Sequence, residues 1–179
     1  MEQKRYAILY ADPAWQYLNK GRGAADNHYP TMSTQDICAL PVSGITADNC
    51  VLFLWATFPN LPEAFKVIAA WGFMYKTVAF VLLKRNRKSL GWFWGMGYWT
   101  RSNAEVCLLA VKGKPRRISR SVHQVIETPI QPHSQKPDEA RSRIIQLVGD
   151  LPRIELFART HAPGWDVWGN EVESSIALC

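Results

Sequence analysis

The chain of 179 residues has few cysteines, no long apolar run and none of the short glycine signatures of nucleotide enzymes, and each absence closes a class. Cys38, Cys50, Cys107 and Cys179 are scattered without C-x-x-C spacing, which argues against a disulfide framework or a zinc site. No secretory leader is read at the amino terminus, so a reducing cytoplasm is the expected location. The longest apolar stretch, Cys50 to Phe58, falls far short of the ~20 residues that a membrane helix needs. Neither G-x-G-x-x-G nor G-x-x-x-x-G-K-[ST] occurs, which turns the reading away from NAD enzymes and P-loop phosphotransferases. His28, His123 and His133 carry no metal-ligand spacing, and no repeat or low-complexity segment interrupts the chain.

What is present is enough apolar material for one core. With 47% hydrophobic residues and eight Trp, residues 1–179 are expected to form a single domain. A net charge of +6 favours a polyanionic partner, although solubility alone also accounts for a charge of this size. Tyr6 to Ala11 reads as a strand, and a polar, Gly-containing stretch follows from Gln16 to Thr31. Ser33 is a candidate N-cap for a short helix through Leu40, and Cys50 to Ala56 is a buried strand. Asn60, Pro62 and Glu63 open a helix that ends before Gly72. Further strands are expected over Tyr75 to Leu83, Glu105 to Val111 and, more weakly, Ser121 to Glu127. Pro137 at a first helical position opens a helix with Ala140, Ile144, Ile145 and Val148 on one face, and Arg153 to Ala158 is the final strand. Strands alternating with helices predict an α/β domain with a mostly parallel sheet.

Chemistry gathers at the end of the first strand. Asp12, Pro13, Ala14 and Trp15 place a carboxylate, a stiff carbonyl and an aromatic plate at its carboxyl end, where open α/β sheets bind ligands. Pro13 fixes its own φ and pushes Asp12 toward an extended conformation, so the carboxylate and a main-chain carbonyl can face one point. An exocyclic amine on a flat base suits that pair of acceptors. The carboxyl-terminal third adds His133, Ser134, Lys136 and Pro137, then Glu155 to Arg159, His161, and Trp168 to Glu171.

Taken in order with Tyr29 to Met32, Arg101, and Glu105 to Gly113, these segments resemble the Asp-Pro-Pro-Trp family of S-adenosylmethionine-dependent adenine-N6 methyltransferases. Its relatives include the catalytic subunit that writes N6-methyladenine in eukaryotic messenger RNA. The resemblance covers nearly the whole chain. It implies a Rossmann-like fold in circularly permuted order, the catalytic motif before the cofactor motif, with helices on both sheet faces. It gives Asp12 and the Pro13 carbonyl to the adenine amine, and Trp15 to the wall of the base pocket. Tyr29 and Glu105 touch the target nucleoside. Lys136 holds the methionine carboxylate of S-adenosylmethionine, with Glu155, Arg159, His161, Asn170 and Glu171 also at the cofactor and Asp12 shared between both ligands. The family's second proline is Ala14 here, which implies a less rigid loop and a shallower pocket floor.

An adenine inside a duplex cannot reach such a pocket, so the target has to be single-stranded or flipped out. Trp92, Phe93, Trp94, Tyr98 and Trp99 offer stacking surface, with about two of the five expected in the core. They stand between Lys84, Arg85, Arg87 and Lys88 on one side and Lys112, Lys114, Arg116, Arg117 and Arg120 on the other, which with Arg101 supply cations for phosphates, as aromatics interleaved with cations do in single-strand binders. DNA is expected over RNA, because the chain reads as a bare catalytic domain. The alternatives are an RNA adenine methyltransferase and a catalytically silent nucleic-acid-binding partner. Intact Asp12 and Trp15 favour the enzyme, while Ala14 is the feature that fits the silent partner.

Overall fold

The computed structural model describes residues 4–16, 31–97, 99–130 and 135–178. Tyr29, Tyr98, His133 and Ser134 lie outside the described residues. Strands β1 (Tyr6–Ala11), β2 (Thr46–Ala56), β3 (Met74–Arg85), β4 (Glu105–Lys112), β5 (Val125–Pro129), β6 (Arg153–Leu156) and β7 (Asp166–Trp168) alternate with helices α1 (Thr34–Ala39), α2 (Leu61–Ala70) and α3 (Asp138–Val148). Among the described residues the strands make one sheet in the order β5-β3-β4-β2-β1-β6-β7. Every strand but β4 runs the same way, since β4 pairs antiparallel with both β2 and β3 while the other neighbours are parallel. The reversed strand brings its first residue, Glu105, to the edge where the other strands end.

Strand alternation divides the core between two layers. Leu9, Ala11, Leu52, Leu54, Val106 and Leu108 face Ile37 of α1 and Ala64, Val67 and Ile68 of α2. Ile8, Tyr10, Val51, Phe53, Trp55 and Cys107 face Ala140, Ile144 and Val148 of α3 on the other side. Helices therefore cover both faces, as a sheet buried on each side requires. Buried indoles find acceptors: Trp71 Nε1 donates to Ile37 O at 2.9 Å, and Trp55 Nε1 to Tyr10 Oη at 2.7 Å. Each bond removes the cost of a buried unmade donor, about 1 to 3 kcal/mol.

Several boundaries differ from the sequence reading, for physical reasons. Ser33 does cap α1, its Oγ accepting from Asp36 N at 3.1 Å. β2 begins earlier, at Thr46, and the weak strand expected from Ser121 forms only from Val125. Pro137 is extended, with φ −67° and ψ 143°, so it is the residue before the helix rather than its first turn, and α3 starts at Asp138. The strand from Arg153 stops at Leu156 because Phe157 adopts φ 62°. That left-handed conformation costs an ordinary residue about 1 to 2 kcal/mol. It is held where the Phe157 ring packs edge-on against Trp168, with centroids 5.5 Å apart. Arg153 to Leu156 is also not the final strand, since β7 follows it.

Candidate active site

The Asp12 to Trp15 segment leaves β1 at the sheet edge shared by the ends of β2, β3 and β6. Trp15 N donates to Pro13 O at 2.9 Å, and Met32 N donates to Ala14 O at 3.0 Å. The Trp15 indole is buried, and its Nε1 donates to Trp55 O at 3.0 Å. None of these three bonds needs a proline at position 14, so the loop is pinned with alanine there. The Pro13 carbonyl retains a second lone pair.

Asp12, Pro13, Ala14, Trp15, Trp55, Thr57, Glu105, Lys136 and Arg159 line a pocket at this edge. A second and larger space of about 210 Å³ lies beside it, walled by Leu82, Phe93, Pro129 and Ile130 and bounded by Lys84, Thr128 and Gln135. Glu105 and Lys136 line both. They form the partition between a polar chamber and a more apolar one.

Charges in the partition are tightly arranged. Lys136 Nζ donates to Asp12 Oδ1 at 3.0 Å and to Oδ2 at 2.9 Å, and stands 3.0 Å from Glu105 Oε2. Burial pushes the Lys136 ammonium down, but Asp12 and Glu105 overcome this and hold it above its ordinary pKa. Burial pushes Glu105 up, and Lys136 and Lys84 reverse the shift, leaving its carboxyl below the usual range. For Asp12 burial wins: the carboxyl lies above its ordinary value despite Lys136, with Glu105 adding to the rise. A carboxylate so placed is a good hydrogen-bond acceptor at neutral pH and a competent resting place for a proton in acid.

The remaining residues singled out in the sequence divide into three groups. Arg159 reaches the pocket and stands 3.7 Å from Glu171, which ties the segments after β6 and β7 together. His161, Asn170 and Glu171 are exposed on those segments. Glu155 is placed elsewhere: it is buried in β6, and Arg141 grips it with Nε to Oε2 at 2.7 Å and Nη2 to Oε1 at 2.9 Å. Trp99, Arg101, Arg116, Arg117 and Arg120 all lie on the surface, away from both pocket linings. Of the aromatics proposed for stacking, Trp92 and Phe93 are half-buried and Trp94 and Trp99 exposed, so none of these four is core, contrary to expectation. This segment instead lies over the sheet edge, with Arg85 over the Trp92 ring at 4.5 Å.

Trp55, Thr57 and Arg141 went unremarked as site residues in the sequence reading, and Lys84 was read only as one of the cations beside the aromatic segment. Trp55 has the clearest signal in retrospect, a Trp one residue before the end of the most apolar strand, whose indole bonds Tyr10 of β1. Gly169 has a steric reason: a Cβ there would come within 2.2 Å of Ala158 O, where Ala158 N donates to Trp168 O at 3.0 Å. The close approach of these two backbones sets the rim that carries Asn170 and Glu171.

Comparison with known proteins converges on one group. A family model described as MT-A70 matches residues 6–171. Type II methyltransferase M.MunI of Mycoplasma sp is 34% identical over 193 residues, covering 96% of this chain and 80% of that protein. The N(6)-adenosine-methyltransferase MT-A70-like protein of Drosophila melanogaster is 29% identical, covering 94% of this chain and 27% of that protein. The N(6)-adenosine-methyltransferase catalytic subunit METTL3 of Homo sapiens is 27% identical, with 94% and 28% covered. The chain thus spans about four fifths of the first relative and little more than a quarter of the other two.

Proposed function

The chain belongs to the MT-A70 family and is an adenine-N6 methyltransferase, and from that premise we propose that it acts on DNA with S-adenosylmethionine as donor and Asp12 as the group that presents the acceptor amine. The observation that carries this reading is the Asp12 carboxylate beside the Pro13 carbonyl in a pocket that also holds two cations, Lys136 and Arg159. DNA is preferred because the match to the type II methyltransferase is both closer and fuller than the matches to the N(6)-adenosine-methyltransferases.

The donor set suits the cofactor. Lys136 and Arg159 can take a methionine carboxylate, while Glu171 and Asn170 on the rim can accept from ribose hydroxyls or the adenine amine. S-adenosylmethionine supplies, when bound, a methyl group already activated by its sulfonium. The residues of the chain then have to align and desolvate, which is worth up to ~7 to 11 kcal/mol in favourable cases. The larger chamber, with Phe93, Leu82, Pro129 and Ile130 as apolar walls and Glu105 as acceptor, fits a flipped base.

Adenine N6 is a weak nucleophile because its lone pair is delocalised into the ring. Asp12 and the Pro13 carbonyl accept its two hydrogens and favour the pyramidal nitrogen of the transition state. Lys136 has to release Asp12 for this to happen, and a cofactor carboxylate gives its ammonium another anion to hold. The methylated amine carries a positive charge and loses its proton readily, so Asp12 need not act as a strong base. Asp12, just after β1, comes earlier in the chain than the β6 and β7 segments that we assign to the cofactor, and this order supports reading the fold as a permuted Rossmann-like arrangement.

Incubation with labelled S-adenosylmethionine and matched adenine-containing DNA and RNA oligonucleotides tests the reading. Label is expected on N6 of adenine in DNA. Label on RNA alone, or on another base, would overturn the substrate assignment.

A further inference from the structure

The series of charges in the partition does not end at Glu105. Lys84 Nζ donates to Glu105 Oε1 from β3, while Glu105 Oε2 faces Lys136 at 3.0 Å, so the two carboxylate oxygens serve two different ammonium groups. Lys136 in turn binds both oxygens of Asp12. Lys84, Glu105, Lys136 and Asp12 therefore alternate in sign and sum to zero. Their side chains are only 22%, 12%, 7% and 23% exposed, so water does little to screen an imbalance. We propose that Lys84 is a positioning residue for methyl transfer, acting through Glu105 to keep Lys136 from passing wholly to Asp12.

The backbone of Lys84 is built for a fixed position. Its N–H donates to Asn103 Oδ1 at 2.8 Å, and its carbonyl accepts from Asn103 Nδ2 at 2.8 Å. The Asn103 side chain thus continues the pairing of β3 just before β4 begins at Glu105. A lysine serving only as a diffuse phosphate contact would need no such clamp.

Removal of the Lys84 charge leaves one ammonium between two carboxylates. The cluster then has a net negative charge in a poorly hydrated place, and a proton is the cheapest counter-charge. If Glu105 takes it, Lys136 passes wholly to Asp12 and competes with the acceptor amine. If Asp12 takes it, the amine loses its acceptor. Both routes lower transfer at neutral pH and are reversed in alkali. The other groups facing the cluster are Arg159 after β6, Cys107 on β4, Tyr10 on β1, and Glu155 on β6 with its partner Arg141 on α3. They are the same in wild type and in the variants, so a displaced pH profile reports on Lys84.

This inference rests on the methyltransferase reading above, and its test separates the two. Single-turnover transfer to saturating adenine-containing DNA is measured from about pH 5 to pH 9 for wild type, Lys84→Gln and Lys84→Arg, beside thermal midpoints of the ligand-free proteins over the same range. Lys84→Gln keeps a hydrogen-bond donor without the charge. It is expected to move the acid limb upward by about one pH unit, to lose about tenfold in rate below it, and to converge on wild type in alkali. Its midpoint deficit should shrink as pH falls and the extra proton is supplied, and Lys84→Arg should restore both profiles. An acid limb in the same place as wild type, or a midpoint deficit independent of pH, would overturn the proposal, including a uniform rate loss from a phosphate contact. No transfer by wild type would overturn the function reading, while the midpoints would still decide the role of Lys84.

Discussion

Lys136 Nζ lies within 3.0 Å of both Asp12 and Glu105, so one buried ammonium is shared between a carboxylate just past the end of β1 and one at the start of β4. Replacing it with Met should cost about 3 to 5 kcal/mol near neutral pH, the range for breaking a buried ion pair. The sign of the pH dependence follows from what remains. Without the ammonium the Asp12 carboxyl, already raised by burial, rises further, and such a group favours folding as pH falls below the raised pKa. The deficit of Lys136→Met should therefore narrow between about pH 7 and pH 5 in urea unfolding. A deficit that stays constant across that window would contradict the shared-ammonium geometry.

Arg141 and Glu155 make a second buried pair beneath the site, on the α3 side of the sheet. Burial raises the Glu155 carboxyl even with Arg141 in place, so the carboxylate depends on this partner. Arg141→Met should destabilise the fold by about 3 to 5 kcal/mol, and the double variant Arg141→Met, Glu155→Leu should recover much of the loss. Equilibrium denaturation of the three proteins measures the recovery. Additive losses would mean that the two residues do not act as a pair.

Binding of S-adenosylmethionine or its demethylated product should be unaffected by a chelator, and Arg159→Ala or Asn170→Ala should weaken it by about 1 to 3 kcal/mol. Calorimetry checks both. Unchanged affinity in both variants would remove the β6 and β7 rim from the cofactor site.

Arg116, Arg117 and Arg120 are exposed on the segment between β4 and β5. If each neutralises a phosphate, their joint replacement by Gln should flatten the plot of log affinity against log salt by roughly 2 to 3. Fluorescence anisotropy with a DNA oligonucleotide at several salt concentrations measures the slope. An unaltered slope would place the nucleic acid elsewhere.

Strand and helix types were legible because their causes are local. Six of the strands and all three helices announced themselves through apolar runs, the Ser33 cap, or the spacing of Ala140, Ile144 and Val148. β7 was missed because three residues carry no periodicity, and it exists through pairing with β6. The end of β6 at Leu156 depends on the left-handed Phe157, which no property of phenylalanine foretells. Asp12 and Lys136 were both named as site residues, yet their mutual contact spans 124 positions and was invisible. The grip of Arg141 on both oxygens of Glu155 was equally invisible, since it joins a helix to a strand and follows from their packing rather than from either residue's neighbours.

The most direct measurement is single-turnover methyl transfer to an adenine-containing DNA oligonucleotide by wild type, Asp12→Ala and Asp12→Asn, with cofactor titrations on the same preparations. Asp12→Ala should lose most turnover while cofactor affinity stays within about tenfold, a change of ~1.4 kcal/mol, because the carboxylate acts chiefly as the transition state forms. Asp12→Asn should keep partial activity, since an amide oxygen still accepts one hydrogen bond. Wild-type-like transfer by Asp12→Ala would contradict the account.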